Sequence, residues 1–294
     1  MIDLKKLYPI FTLLFFGVGL YVIFENFDLL RKLSLGVLFE TLFLSFLNYV
    51  LLGLVFQSIL KARGVSCSFS SSFLAGVVNN VSSYFLPAKL NLVLKSLVLK
   101  RISNISIYDS ARGAIDSIAV SCVVASLILL LFPIFYKGNW VDDLYTIDVI
   151  LFFIFCIFVF FLVVGRVEVY FSKKYPGLLK NKISIKWVFI CSVWFFLFIV
   201  MSSVRLFIFM NEFGGEGGAY VSVFLVSIAC LATLFSVTPS GLFVKEGVFL
   251  FVASMVGISV NEMLVVVVLD RFVPIFAGLL LLAMFFVPLW KKLR

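Results

Sequence analysis

Thr238-Pro239-Ser240-Gly241-Leu242-Phe243-Val244-Lys245-Glu246-Gly247 interrupts an apolar stretch that runs from Tyr220 to Val260. Proline removes a backbone donor and clashes with the preceding helical turn, and glycine readily ends a helix. The stretch therefore reads as two short helices meeting at a break. Phe73–Arg101 reads the same way: it is apolar, but Asn79, Asn80, Ser82, Ser83 and Pro87 break it, and Lys89, Lys95, Lys100 and Arg101 follow. Around these two stretches lie six uninterrupted apolar runs, Tyr8–Phe24, Leu33–Leu60, Ala114–Phe135, Ile147–Gly165, Trp187–Met210 and Met263–Trp290. Each is close to the roughly 17–25 residues that a hydrocarbon core requires.

Composition supports the same reading. Of 294 residues, 63% are hydrophobic and 13% charged, and the mean hydropathy is +1.21. Soluble domains are about half apolar and a quarter charged. A cytosolic enzyme, a secreted domain and a nucleic-acid-binding module are excluded. The expected fold is all-α: a polytopic integral membrane protein forming a single membrane domain over residues 1–294.

The side of each segment follows from its charges. Basic residues gather at Lys5/Lys6, Lys61/Arg63, Lys95–Arg112, Arg166–Lys186 and Lys291–Arg294; acidic ones gather at Glu25/Asp28, Asp142/Asp143/Asp148, Glu212/Glu216 and Glu262. Placing the basic set in the cytoplasm follows the positive-inside rule and puts both termini there, in the cytoplasmic membrane. The six full spans then alternate only if each broken stretch returns to its own side as a re-entrant helical hairpin. Span, span, hairpin, span occurs twice, in pseudo-repeat halves 1–146 and 147–294, with opposite starting sides. That is the inverted-topology repeat of many secondary transporters. Broken backbone at membrane depth survives only where protein buries it or it lines a wet cavity, so two facing hairpins would enclose one.

The chain has no histidine. Triad and histidine-metal chemistry are therefore absent. Cys67, Cys122, Cys156, Cys191 and Cys230 form no CxxC pair. They read as small buried residues, and no metal or organic cofactor is expected.

Ionisable groups inside apolar runs cost roughly 2.5–3.5 kcal/mol each on insertion scales and mark sites. Lys245 and Glu246 follow the Pro239–Gly241 break, where a new helix start and Lys245 suit an anion such as a phosphate. Asp270 and Arg271 sit in the last span as adjacent residues that cannot satisfy one another. Arg271 is expected to pair with Glu246, the alternative being that it snorkels to the outer interface. Arg205 lies near the outer end of its span, where snorkelling accounts for it. Asp116 opens its span, either as a helix-start acid or as a partner of Lys95 or Lys89. Lys89 and Lys95 follow Pro87 at headgroup level, either attracting anionic lipid or lining the cytoplasmic half of a lipid-phosphate path.

Leu86-Pro87-Ala88-Lys89-Leu90-Asn91-Leu92-Val93-Leu94-Lys95 resembles the LPGRxGExxR stretch of the lysylphosphatidylglycerol synthase transmembrane-region family. The 238–247 stretch resembles that family's PGGxGxxE, and Gly257-Ile258 and Arg271 fall where the family carries similar residues. The likeness extends over roughly residues 10–290. Asn91 and Leu92 replace the glycine and glutamate of the first motif, lysines replace its arginines, and of an ERxxD pattern only Asp116 remains, with Arg112 and Gly113 in the first two places. Membership would imply a flippase-like membrane region without the soluble aminoacyl-transfer domain.

The resulting expectation is a translocase of a phospholipid or lipid-linked intermediate. Its headgroup would be held by Lys245, Glu246, Arg271, Asp270, Lys95 and Asp116, and its helices broken at Pro87, Pro239 and Gly241. Membrane lipids are the expected partners. Two alternatives stay open: a membrane-embedded transferase, and a non-transporting partner of envelope-biogenesis proteins.

Overall fold

The computed structural model describes residues 33–86, 90–135, 184–214, 218–235, 244–253 and 257–293, with isolated helical positions before residue 32. Among them are eight helices: α1 (Leu35–Ala62), α2 (Phe69–Phe85), α3 (Leu90–Ser103), α4 (Ile107–Phe135), α5 (Ile185–Glu212), α6 (Gly218–Phe235), α7 (Val244–Ala253) and α8 (Val260–Leu293). Four of these, α1, α4, α5 and α8, are long and apolar enough to cross a membrane. The chain is an all-helical, polytopic membrane protein. The expected spans Tyr8–Phe24 and Ile147–Gly165, and the boundary between the expected halves, fall outside the described residues apart from single helical positions in the first.

Local chemistry sets the helix ends. The Ser34 and Ser68 hydroxyls accept from Val37 N–H and Ser71 N–H and cap the starts of α1 and α2. At the end of α1, Gly64 N–H donates to Lys61 O and Val65 N–H to Leu60 O, with Gly64 at φ 74°. This is a Schellman closure, and only glycine adopts that backbone angle without cost. The first broken stretch forms two helices as its sequence predicts. Leu86 ends α2 in extended backbone at φ −103°, ψ 140°, the conformation that a following proline imposes. Pro87, Lys89, Pro239 and Gly241 themselves lie outside the described residues. Asn104, at φ 54°, makes the tight turn from α3 into α4, a backbone that asparagine tolerates better than most residues.

α1 and α5 form the centre of the fold. Each has 28 residues, follows a serine (Ser34, Ser184) and ends before a glycine at φ 74° (Gly64, Gly214). They lie antiparallel. Ser34 N–H, at the start of α1, donates to Glu212 at the end of α5, and Ser184 N–H, at the start of α5, donates to Ala62 O at the end of α1. Midway, Asn48 Nδ2 donates to Ser202 Oγ at 3.2 Å. The remaining helices pack with matching neighbours: α2 on α1 and α6 on α5, α4 on α5 and α6, α8 on α1 and α2. Long, short, short, long therefore occurs twice around an antiparallel pair, the arrangement that two inverted units give. The short helices fold back on each other. Asn91 Nδ2 donates to Asn79 Oδ1 across α2 and α3, and α6 packs on α7.

Cys67, Cys122 and Cys191 are buried, Cys230 is half-buried, and all four are free thiols. Small residues set the closest helix approach, as in membrane interiors generally. A methyl group on Gly53 would stand 2.9 Å from the Phe73 Cα of α2, whereas one on Gly76 would meet nothing nearer than 3.8 Å. Gly53→Ala should therefore destabilise the protein by about 1–3 kcal/mol through overpacking. Gly76→Ala should be neutral or stabilising by up to about 1 kcal/mol through helix propensity. Thermal unfolding of the two variants in detergent checks this; equal midpoints would contradict the close α1–α2 approach.

Candidate functional site

α7 is only 10 residues long. A helix that short has little stability of its own, so tertiary contacts must hold it. Phe249, Val252 and Ala253 are buried in the apolar core, and ionic contacts add to them. Lys245 and Glu246 occupy its first turn, and Asp270 and Arg271 face them from α8. The Lys245 Nζ lies 2.5 Å from Asp270 Oδ2, and Arg271 Nε lies 2.5 Å from Glu246 Oε1. Adjacent residues on a helix point in different directions. Two neighbours on α7 therefore engage two neighbours on α8 in parallel pairs, which fixes both the register and the rotation of the short helix. The Arg271–Glu246 pair is the one the sequence led us to expect.

Asp270 has a second cation. Arg205 of α5 places Nη2 2.7 Å and Nε 3.2 Å from Asp270 Oδ1. Its Nη1 donates to Ser45 Oγ of α1 at 3.2 Å, and Ser45 Oγ donates in turn to Thr41 O. Arg205, Asp270 and Arg271 are 7%, 3% and 2% exposed. Snorkelling is thus the wrong account of Arg205: its guanidinium turns inward to the carboxylate instead of outward to headgroups. Its position among Ser202 and Ser203, facing Ser45 and Asn48 on α1, was the available signal of a polar interior. From α2, the Tyr84 ring lies 6.0 Å from the Arg271 guanidinium carbon, so the tip of the first helical pair reaches the ionic group of the second.

Among the described residues this group holds three cations, Arg205, Lys245 and Arg271, against two carboxylates, Glu246 and Asp270. The imbalance is one positive charge in an interior of low dielectric. Such a group can attract an anion, and a tetrahedral phosphate suits two guanidinium groups and an ammonium.

Two expected members lie elsewhere. Asp116 sits well inside α4, which begins at Ile107, so it does not serve as a helix-start acid. Its partner is not Lys95 but Arg63, whose Nε and Nη2 donate to Oδ2 at 2.6 Å and Oδ1 at 2.7 Å. That fork-on-carboxylate geometry is one a lysine cannot make. In the sequence Arg63 reads only as a cytoplasmic charge; its place directly after the end of α1 brings it to Asp116 of α4. Lys95 is buried, with its Nζ 3.2 Å from the Phe56 ring centroid. No hydrogen bond or ion pair joins Asp116 or Lys95 to the Asp270 group among the described residues. Nor does any cluster of three potential metal ligands occur among them.

The family described as "Lysylphosphatidylglycerol synthase TM region" matches residues 10–282. The chain belongs to that family. No curated protein and no solved structure matches it.

Removing the Asp270 carboxylate takes the counter-charge from the buried Arg205 and the half-buried Lys245. Asp270→Ala should cost about 3–5 kcal/mol of stability. Adding Arg205→Met should recover a substantial part of that loss, because it removes one uncompensated charge. A double-mutant cycle of unfolding in detergent measures this; simple additivity of the two substitutions would show that the contact is energetically idle.

Proposed function

We propose that this member of the lysylphosphatidylglycerol synthase TM-region family carries the headgroup of an anionic phospholipid or lipid-linked intermediate across the cytoplasmic membrane. The observation that carries the reading is that, among the described residues, the Arg205–Lys245–Asp270–Glu246–Arg271 group has one more cation than carboxylates. A phosphate entering it would neutralise the surplus cation, while acyl chains remain in the surrounding lipid. In this reading the two broken helical pairs dip into the bilayer from opposite faces and both termini are cytoplasmic. Lys245 is the most accessible of the paired cations, at 20% side-chain exposure. Asp270 keeps Arg205 when Lys245 exchanges to a substrate. The protein acts here as a carrier rather than a catalyst: both carboxylates of the group are engaged by cations, and neither is placed as a free general base.

Reconstitution into vesicles with fluorescent phosphatidylglycerol tests the reading. Lys245→Gln leaves the Arg205–Asp270 pair intact and should preserve folding while lowering transfer between leaflets about tenfold or more. Equal transfer rates for the original chain, the variant and empty vesicles would reject the carrier role.

A further inference from the structure

A cavity of about 820 Å³ lies at the turn between α1 and α2, away from the Asp270 group. Ser45, which touches that group, and Lys61, which lines the cavity, are 16 residues apart on α1, about 24 Å at the helical rise. The cavity is therefore at the end of a helix long enough to cross a membrane.

Its lining has two characters. Lys61 and the serines Ser66, Ser68, Ser70, Ser71 and Ser103 are its polar part; Trp187 of α5 and Phe285 of α8 are its aromatic part. Among the described lining residues Lys61 is the one charged side chain, and no carboxylate faces it. Its Nζ rests 4.8 Å from the Trp187 ring centroid. That contact keeps the amine at the cavity wall and leaves its N–H donors to a ligand. Tryptophan at the end of a span marks the interface belt, where apolar chains give way to headgroups. Sites of a few hundred to 1,000 Å³ with a few converging polar groups are of ligand size. A single cation with several hydroxyls recognises a phosphate; an aromatic wall at the membrane boundary recognises the apolar chains attached to it.

We infer that this cavity binds an anionic phospholipid, with Lys61 and the serine hydroxyls on the phosphate and the first acyl methylenes against Trp187 and Phe285. The site is separate from the Asp270 group, and occupancy is read without transport, so this inference and the carrier reading fail independently. In the carrier reading it is the place where a lipid waits at one leaflet.

Replacing Trp140, Trp194 and Trp290 with phenylalanine leaves Trp187 as the sole tryptophan of the full chain. Titration with phosphatidylglycerol brominated on its acyl chain should quench Trp187 at about fivefold lower concentration than brominated phosphatidylcholine. Lys61→Gln should abolish that preference with an unchanged thermal midpoint, and Lys61→Arg should retain it. Native mass spectrometry of the otherwise unaltered chain, with the same lipids and the same Lys61 variants, gives a second readout that needs no tryptophan replacement. Equal quenching by the two lipids, or a preference that survives Lys61→Gln, would overturn the assignment. Displacement of the lipid by millimolar inorganic phosphate as effectively as by unlabelled phosphatidylglycerol would also overturn it, showing a free-phosphate site instead.

Discussion

The carboxylate of Asp270 lies between the Arg205 guanidinium and the Lys245 ammonium, and three helices meet at that point. An ionised acid in an apolar interior persists only when cations and hydrogen bonds replace the water it has lost. Here the replacement comes from α5 on one side and α7 on the other, so the positions of all three helices depend on one group. Arg271, the next residue on α8, repeats the arrangement with Glu246. Buried ion pairs add little net stability compared with well-packed apolar residues, but they penalise every other register. A ten-residue helix beside a long one needs such a constraint, since apolar side chains alone would allow it to slide.

The antiparallel pair of α1 and α5 supplies the frame on which this group is mounted. Serine opens each helix, a left-handed glycine closes each, and a hydrogen bond joins them at either end. Between the ends, Ser45, Asn48 and Ser202 make the interface polar where Arg205 enters. In a bilayer, where lipid is as apolar as leucine, such hydrogen bonds and the close approach at Gly53 supply association that the hydrophobic effect does not. The α1–α5 interface is thus both the structural axis and one wall of the charged group.

Polar chemistry is concentrated at two depths. The Asp270 group is deep, paired and one positive charge in excess among the described residues. The Lys61 cavity is at a helix end, open and lined by hydroxyls. The Arg63–Asp116 fork ties the end of α1 to α4.

Much of this was present in the chain's order of residues. Hydropathy alone required a membrane, because 13% charged residues cannot clothe a soluble core. Pro87 stopped α2 at Leu86 through the restriction proline places on its predecessor. The nearness of α7 and α8 along the chain made Arg271–Glu246 readable. The serine and glycine at corresponding ends of two 28-residue helices also stood in the sequence, a likeness that hydropathy does not register.

Partner choice across distant helices was decided only by the tertiary structure. Arg205 reaches Asp270 across 65 positions, and Arg63 reaches Asp116 across 53. A linear sequence states that an arginine in an apolar run must be satisfied, since its cost in hydrocarbon is a property of the residue. Which carboxylate satisfies it depends on which helix faces are brought together, and packing geometry determines that once the chain has folded.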